Sequence, residues 1–216
     1  KMQPRIAETA KMLWQIYFLI TILCGLAYWL AGMTPFDAIS HSFANISIGG
    51  FSTHDASIGY FNSTTINYIT VFFLLISSCN FALHITLFSQ LKDPKEKRKI
   101  TVLQRLYWRD YEFRSFIFIQ IALFVICVLV LSLHQYFTHT NITLDQVLFE
   151  SVSVSTTGGF GVTDFTQWPS FLPMLLILST FIGGCAGSTG GGLKVIRVLL
   201  LYLQMNREIH RFVHPN

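Results

Sequence analysis

Four apolar runs punctuate the chain, each long enough to cross a bilayer as a helix, which needs roughly 20 residues. They cover residues 13–30 (LWQIYFLITILCGLAYWL), 68–91, 116–133 (FIFIQIALFVICVLVLSL) and a longer, interrupted stretch at 171–203. Between the first and second runs, and again between the third and fourth, lies a polar-apolar segment of helical character, PFDAISHSFANIS at 35–47 and LDQVLFESVSVS at 144–155. Pro35 with Asp37, and Thr143 with Asp145, supply a turn former or cap and an acid in the first turn. Both segments are too short to span, so they are predicted to be re-entrant helices that enter and leave on the same side.

Each half-helix runs into the same loop. NISIGGFSTHD carries Gly49-Gly50-Phe51, STTGGFGVTD carries Gly158-Gly159-Phe160, and an aspartate (Asp55, Asp164) follows four residues after each Phe. The chain therefore reads as two repeats of span, half-helix, Gly-Gly-Phe loop and span, divided at 1–98 and 99–216. A short helix ending inside the membrane directs its partly negative C-terminal end at the bilayer centre and favours a cation there. The loop beyond it cannot leave its carbonyls unsatisfied in lipid, so it must line a wet cavity or bind another group. Glycines permit positive φ and allow successive carbonyls to turn the same way, and such carbonyls can replace the hydration shell of a potassium ion. The Ser and Thr residues before the glycines can add hydroxyl oxygens at the inner end.

Composition strengthens the membrane reading: hydrophobic residues make up 52% and charged residues 12%, about half the charge of a soluble domain. Charge placement gives the orientation. Every Lys and Arg lies before the first run, between the second and third, or in the last third of the fourth run and its tail. Lys92, Lys95, Lys97, Arg98, Lys99, Arg105, Arg109 and Arg114 crowd the central connection, whereas 33–67 and 134–170 hold none. Positive residues are retained on the cytoplasmic side, so both termini and the basic loop are expected inside. Asp37, Asp55, Asp145, Glu150 and Asp164 then stand on outward segments, as ordinary solvated acids or as a surface that concentrates cations near an entrance. Cys24, Cys79, Cys127 and Cys185 fall within apolar runs and are expected as buried thiols. Trp14, Trp29, Trp108 and Trp168 flank the runs as interface anchors. The start, KMQPRIAETAK, has neither an initiator Met nor a cleavable leader, and the chain is expected to be a piece of a longer polypeptide.

The motifs ISIGGFSTHD, STTGGFGVTDF and GGCAGSTGGGLKVIR resemble those of the membrane subunits of Trk-type potassium uptake systems, in the superfamily that includes Ktr and plant HKT transporters. The resemblance covers essentially the whole chain and implies an all-α integral membrane fold. Such subunits set four span–pore-helix–span repeats around a potassium-channel-like pore, and this chain resembles their last two. It implies potassium as the transported ion, with no organic cofactor and no enzymatic activity, in the bacterial cytoplasmic (inner) membrane. The filter would be built from Ile48, Gly49, Gly50 and Phe51 with Thr157, Gly158, Gly159 and Phe160. Ile48 stands where the second loop has Thr157, so one hydroxyl is missing from the ring. The resemblance also implies an intramembrane gate at Ser77, Ser78, Cys79 and Asn80, within ISSCNFALH, contacted by an arginine of the last span, by position Arg197. Arg197 and Lys194 alternatively reach the cytoplasmic interface by snorkelling. Implied partners are the lipid bilayer, the other two repeats or a second copy of the chain, a homodimer mate, and a cytoplasmic nucleotide-binding regulatory subunit, docking on 92–114 and 206–216.

Other readings are weaker. Gly187 and Gly192 have the spacing of a phosphate-binding loop, but Leu193 occupies the lysine position, Val195 replaces Ser/Thr, and no strand precedes them. The basic run KDPKEKRK is typical of a cytoplasmic loop and does not indicate nucleic-acid binding. No histidine pair has metal-binding spacing. The sequons at Asn45, Asn62 and Asn141 are at chance level. An ion-coupled secondary transporter with broken helices is the rival function; an intramembrane hydrolase would need acids or a Ser/His set in the runs, which contain no Asp or Glu.

Overall fold

The computed structural model describes residues 3–91, 106–138 and 142–213, and every regular element among them is helical. Helix α1, Gln3–Leu30, has 28 residues and so extends about 42 Å at 1.5 Å per residue, more than the roughly 30 Å hydrocarbon core requires. The chain reverses at residues 31–34 and enters α2, Pro35–Ile46, with Thr34 as N-cap and Pro35 in the first turn. The Thr34 hydroxyl accepts from the Asp37 backbone N–H at 3.2 Å. After the first Gly-Gly-Phe loop and a 3-10 turn at Ser57–Phe61, the predicted second span is two helices. These are α3, Thr64–Ser77, and α4, Phe81–Leu91, bent 91° at the polar residues between them.

The second half repeats the plan. Helix α5, Tyr111–Thr138, is the long span. Helix α6, Leu144–Ser155, starts where the Thr143 backbone N–H donates to Gln146 Oε1 at 3.1 Å. Beyond the second Gly-Gly-Phe loop and a 3-10 turn at Phe165–Gln167 come α7, Phe171–Thr180, an irregular stretch at 181–194, and α8, Val195–Val213. By length and composition α1 and α5 can each cross a membrane, and the bent α3–α4 pair adds a third crossing if it is taken as one span. The expected boundary at 98/99 lies outside the described residues.

The short helices occupy the centre of each half. Helix α2 packs on α1 and α3, α6 packs on α5 and α7, and α3 lies against α6 to join the halves. A buried polar network fixes α2: Asn45 Nδ2 donates to Tyr28 Oη at 2.6 Å and to Thr70 O at 3.3 Å, and Tyr28 Oη lies 2.8 Å from Thr70 Oγ1. Asn45 is thus a tie between three helices, fully buried, and its sequon is inaccessible. In the second half one bond does similar work, Ser155 Oγ to Gln120 Oε1 at 2.7 Å.

Outward faces are apolar, as expected for helices whose solvent is lipid. Phe18, Ile22, Leu26 and Trp29 of α1 are exposed, as are Phe118, Ile121, Val125 and Leu129 of α5. The four cysteines are buried free thiols. Trp14, Trp29 and Trp108 are exposed, but Trp168 is not an interface anchor. It closes the 3-10 turn and packs with Leu131, Val147, Leu172 and Leu176 in the core of the second half.

Candidate functional site

Each short helix ends in the same cap. Ser47 and Thr156 keep helical angles (φ −76, ψ −9 and φ −80, ψ −3), and the next residue is left-handed, Ile48 at φ 55 and Thr157 at φ 65. The Ile48 N–H bonds to Asn45 O at 3.0 Å and the Gly49 N–H to Ala44 O at 2.8 Å. Thr157 and Gly158 repeat this with Val154 O at 3.0 Å and Ser153 O at 2.6 Å. This is the pairing of a Schellman motif, whose left-handed position is usually glycine. A β-branched residue there is a genuine outlier, held against a cost of about 1–3 kcal/mol by its surroundings. Gly50 and Gly159 are left-handed again, at φ 69 and φ 75, so both loops follow one backbone course.

The loops meet backbone to backbone. A Cβ on Gly50 would lie 2.6 Å from Gly158 O and 2.9 Å from Gly159 Cα, whereas one on Gly159 would meet only Gly50 Cα, at 3.5 Å. The outer segments beyond them are also joined, by Gly59 N–H to Gly161 O at 3.1 Å and Gly161 N–H to Ser57 Oγ at 3.2 Å.

Buried polar side chains of the short helices hold those outer segments. His41 Nε2 lies 2.9 Å from Ser52 Oγ, and Asp37 Oδ1 accepts from Thr53 Oγ1 at 2.6 Å. In the other repeat Glu150 Oε1 accepts from the backbone N–H groups of Val162 at 2.7 Å and Thr163 at 2.8 Å, while Ser153 Oγ donates to Phe160 O at 2.7 Å. The expected band of outward acids is therefore narrower: Asp37 and Glu150 are buried within these contacts, Asp145 accepts from Asn67 Nδ2, and Asp55 and Asp164 are exposed. Hydrogen bonds from Thr166 and Gln167 hold the Asp164 carboxyl below the usual carboxylate range.

Beneath the loops the two broken spans clasp. Cys185 N–H bonds to Ser78 O at 2.8 Å, Phe81 N–H to Gly187 O at 3.1 Å, and Thr189 N–H to Ser77 O at 3.3 Å. Asn80 Oδ1 accepts from Ala82 N–H at 2.9 Å, at the start of α4. The glycine-rich stretch also touches both caps: Thr189 Oγ1 donates to Ile46 O at 2.8 Å, Gly191 N–H donates to Thr157 Oγ1 at 2.8 Å, and Ile48 Cδ1 abuts Gly190. Ser47 and Thr156 turn their hydroxyls back to their own helices, onto Ala44 O and Val152 O.

Ser77, Ser78, Cys79 and Asn80 are thus brought together with residues 185–189. Arg197 is exposed on α8, and the cation that reaches the stretch is Lys194, whose Nζ donates to Gly190 O and lies 3.5 Å from Ser188 Oγ. Glu112, which sequence reading passed over, is buried at the start of α5, where its Oε1 accepts from Ala186 N–H at 2.6 Å and Ile196 N–H at 3.3 Å. Its signal was faint, one acid beside a basic connection. Glu150 and His41 had a plainer one, since they hold the same register before their Gly-Gly-Phe motifs.

Comparison with known proteins identifies the family of this fold. A family model described as TrkH, cation transport protein, matches residues 1–216. The Trk system potassium uptake protein TrkH of Vibrio parahaemolyticus is 61% identical over 215 residues, covering 100% of this chain and 42% of that protein. The protein of the same name from Escherichia coli K12 is 59% identical over 216 residues, again 42% of its length. The crystal structure of the potassium transporter TrkH from Vibrio parahaemolyticus superposes with a TM-score of 0.88, over 99% of this chain and 44% of that one. The chain spans less than half the length of these relatives, and it belongs to the TrkH family of cation transport proteins.

Proposed function

We propose that the chain forms half of a pore that carries potassium across the cytoplasmic membrane, with the paired Gly-Gly-Phe loops as its selectivity filter. The observation that carries this reading is the shared backbone course: left-handed Ile48 and Thr157, then left-handed Gly50 and Gly159, beyond the C-terminal ends of two helices, in loops that meet backbone to backbone. Left-handed residues spaced in this way turn carbonyls toward a common side, where they can stand in for water around a dehydrated cation. The helix ends add a negative field. The relatives' names, potassium uptake proteins, support the choice of ion.

The clasp of residues 77–81 with 183–191 lies below the filter and serves as the gate, with Lys194 bound to it and Arg197 in the first turn of α8. Two repeats cannot close a four-sided pore, so the remaining polypeptide supplies the other two. A homodimer mate and a cytoplasmic nucleotide-binding subunit complete the assembly. The test is K+ and Na+ flux through the full-length protein in liposomes, with and without Gly159→Ser. Potassium flux that loses its preference over sodium in the variant supports the filter. An unchanged preference removes it.

A further inference from the structure

We propose that Glu150 is a selectivity-determining positioning residue, which holds the outer arm of the second filter loop in its ion-binding course. The inference rests on the filter reading above. Glu150 is fully buried in α6, beside a cavity that Thr157, Gly159 and Gly161 also line, and it acts on the loop through two backbone N–H groups. One oxygen takes both bonds, from Val162 and Thr163, and the Thr163 side chain lies beside the carboxyl. With Ser153 Oγ on Phe160 O, the arm from 160 to 163 is fastened to α6 at three backbone points.

The first loop shows what the arrangement adds. His41 stands at the equivalent place in α2 and Ala44 stands where the second repeat has Ser153. Toward its arm α2 offers His41 to the side chain of Ser52 and Asp37 to that of Thr53, and Ala44 has no hydroxyl to give. The first loop's arm is therefore held by its short helix through side chains, and the second through its backbone. A carbonyl ring discriminates ions by position and by the field of its oxygens, so the loop that is fastened at its backbone governs the discrimination.

The test uses the full-length transporter in liposomes, with Glu150→Gln, Glu150→Asp and Glu150→Ala beside Gly159→Ser. The readouts are the K+ over Na+ permeability ratio and amide exchange at Val162 and Thr163. Gln keeps the reach and the accepting oxygen; Asp keeps the acid but is one methylene too short to hold both N–H groups. The expected result is a Gln ratio within about twofold of wild type and a fall of about tenfold in Asp and Ala, with faster exchange at both amides in Asp. If Ala fails to fold, the Gln–Asp pair decides. A wild-type ratio in Asp, or a Gln ratio that falls as far as Asp, overturns the inference. If Gly159→Ser shifts the ratio and Asp does not, Glu150 is cleared and the filter stands. If Gly159→Ser shifts nothing, the filter and the inference that rests on it fall together.

Discussion

Phe51 and Phe160 close the same motif on the same backbone, yet Phe51 is 80% exposed and Phe160 is 2% exposed. The difference comes from neighbours. Phe160 lies against the His41 ring, 6.4 Å between centroids, and so against the short helix of the other repeat. Phe51 faces an edge where this chain places no repeat. The burial of each phenylalanine is therefore set by whether a short helix of another repeat stands beside it. The lower surroundings differ as well. Thr157 is anchored to the glycine-rich stretch by a hydrogen bond and Ile48 by apolar contact alone.

The sharpest way to break this comparison is to add one methyl to each central glycine. Gly50→Ala drives a Cβ to 2.6 Å from Gly158 O, between two backbones that cannot both retreat, whereas the Cβ of Gly159→Ala meets a single atom at 3.5 Å. Both also carry the left-handed cost of about 1–2 kcal/mol. In the full-length protein, Gly50→Ala is expected to abolish K+ flux, and Gly159→Ala to lower it about tenfold. Equal losses would make the loops equivalent.

Next comes the support of the short helices. Asn45→Ala removes both bonds that tie α2 to Tyr28 and Thr70 and is expected to cost about 1–3 kcal/mol, read as a lowered melting temperature in detergent. Ser155→Ala removes one hydrogen bond to Gln120, for about 1 kcal/mol. A reversed order would show that the second helix depends more on its polar tie than the first. The smallest effect is at the caps. Thr157→Val removes the acceptor of the Gly191 N–H while keeping the shape, and is expected to raise basal K+ leak about threefold through a looser clasp. Ile48→Val is expected to leave the leak unchanged.

Much of this architecture is legible in local pattern. Pro35, Asp37, Thr143 and Asp145 mark the starts of the half-helices, and the repeated Gly-Gly-Phe marks their ends, because capping and left-handed turns are decided by neighbouring residues. The polar residues 77–80 announce a break in the second span, but its 91° angle comes from hydrogen bonds to residues 185–189, far along the chain. Glu150 reads as an outward acid from sequence because nothing local says which side of α6 is covered. Trp168 reads as an anchor for the same reason, although the leucines it packs on come from α5 and α7. Lys194 and Arg197 are equally basic in sequence, and only the left-handed turn at Lys194, φ 76, brings its amine back to Gly190.

The central claim is that a dehydrated cation sits among the carbonyls of these two loops. The most direct measurement is an anomalous difference map of the full-length protein crystallised in rubidium. The account predicts a peak coordinated by backbone oxygens of residues 48–50 and 157–159. Rubidium bound elsewhere along the permeation path, with these carbonyls turned away from it, would contradict the account.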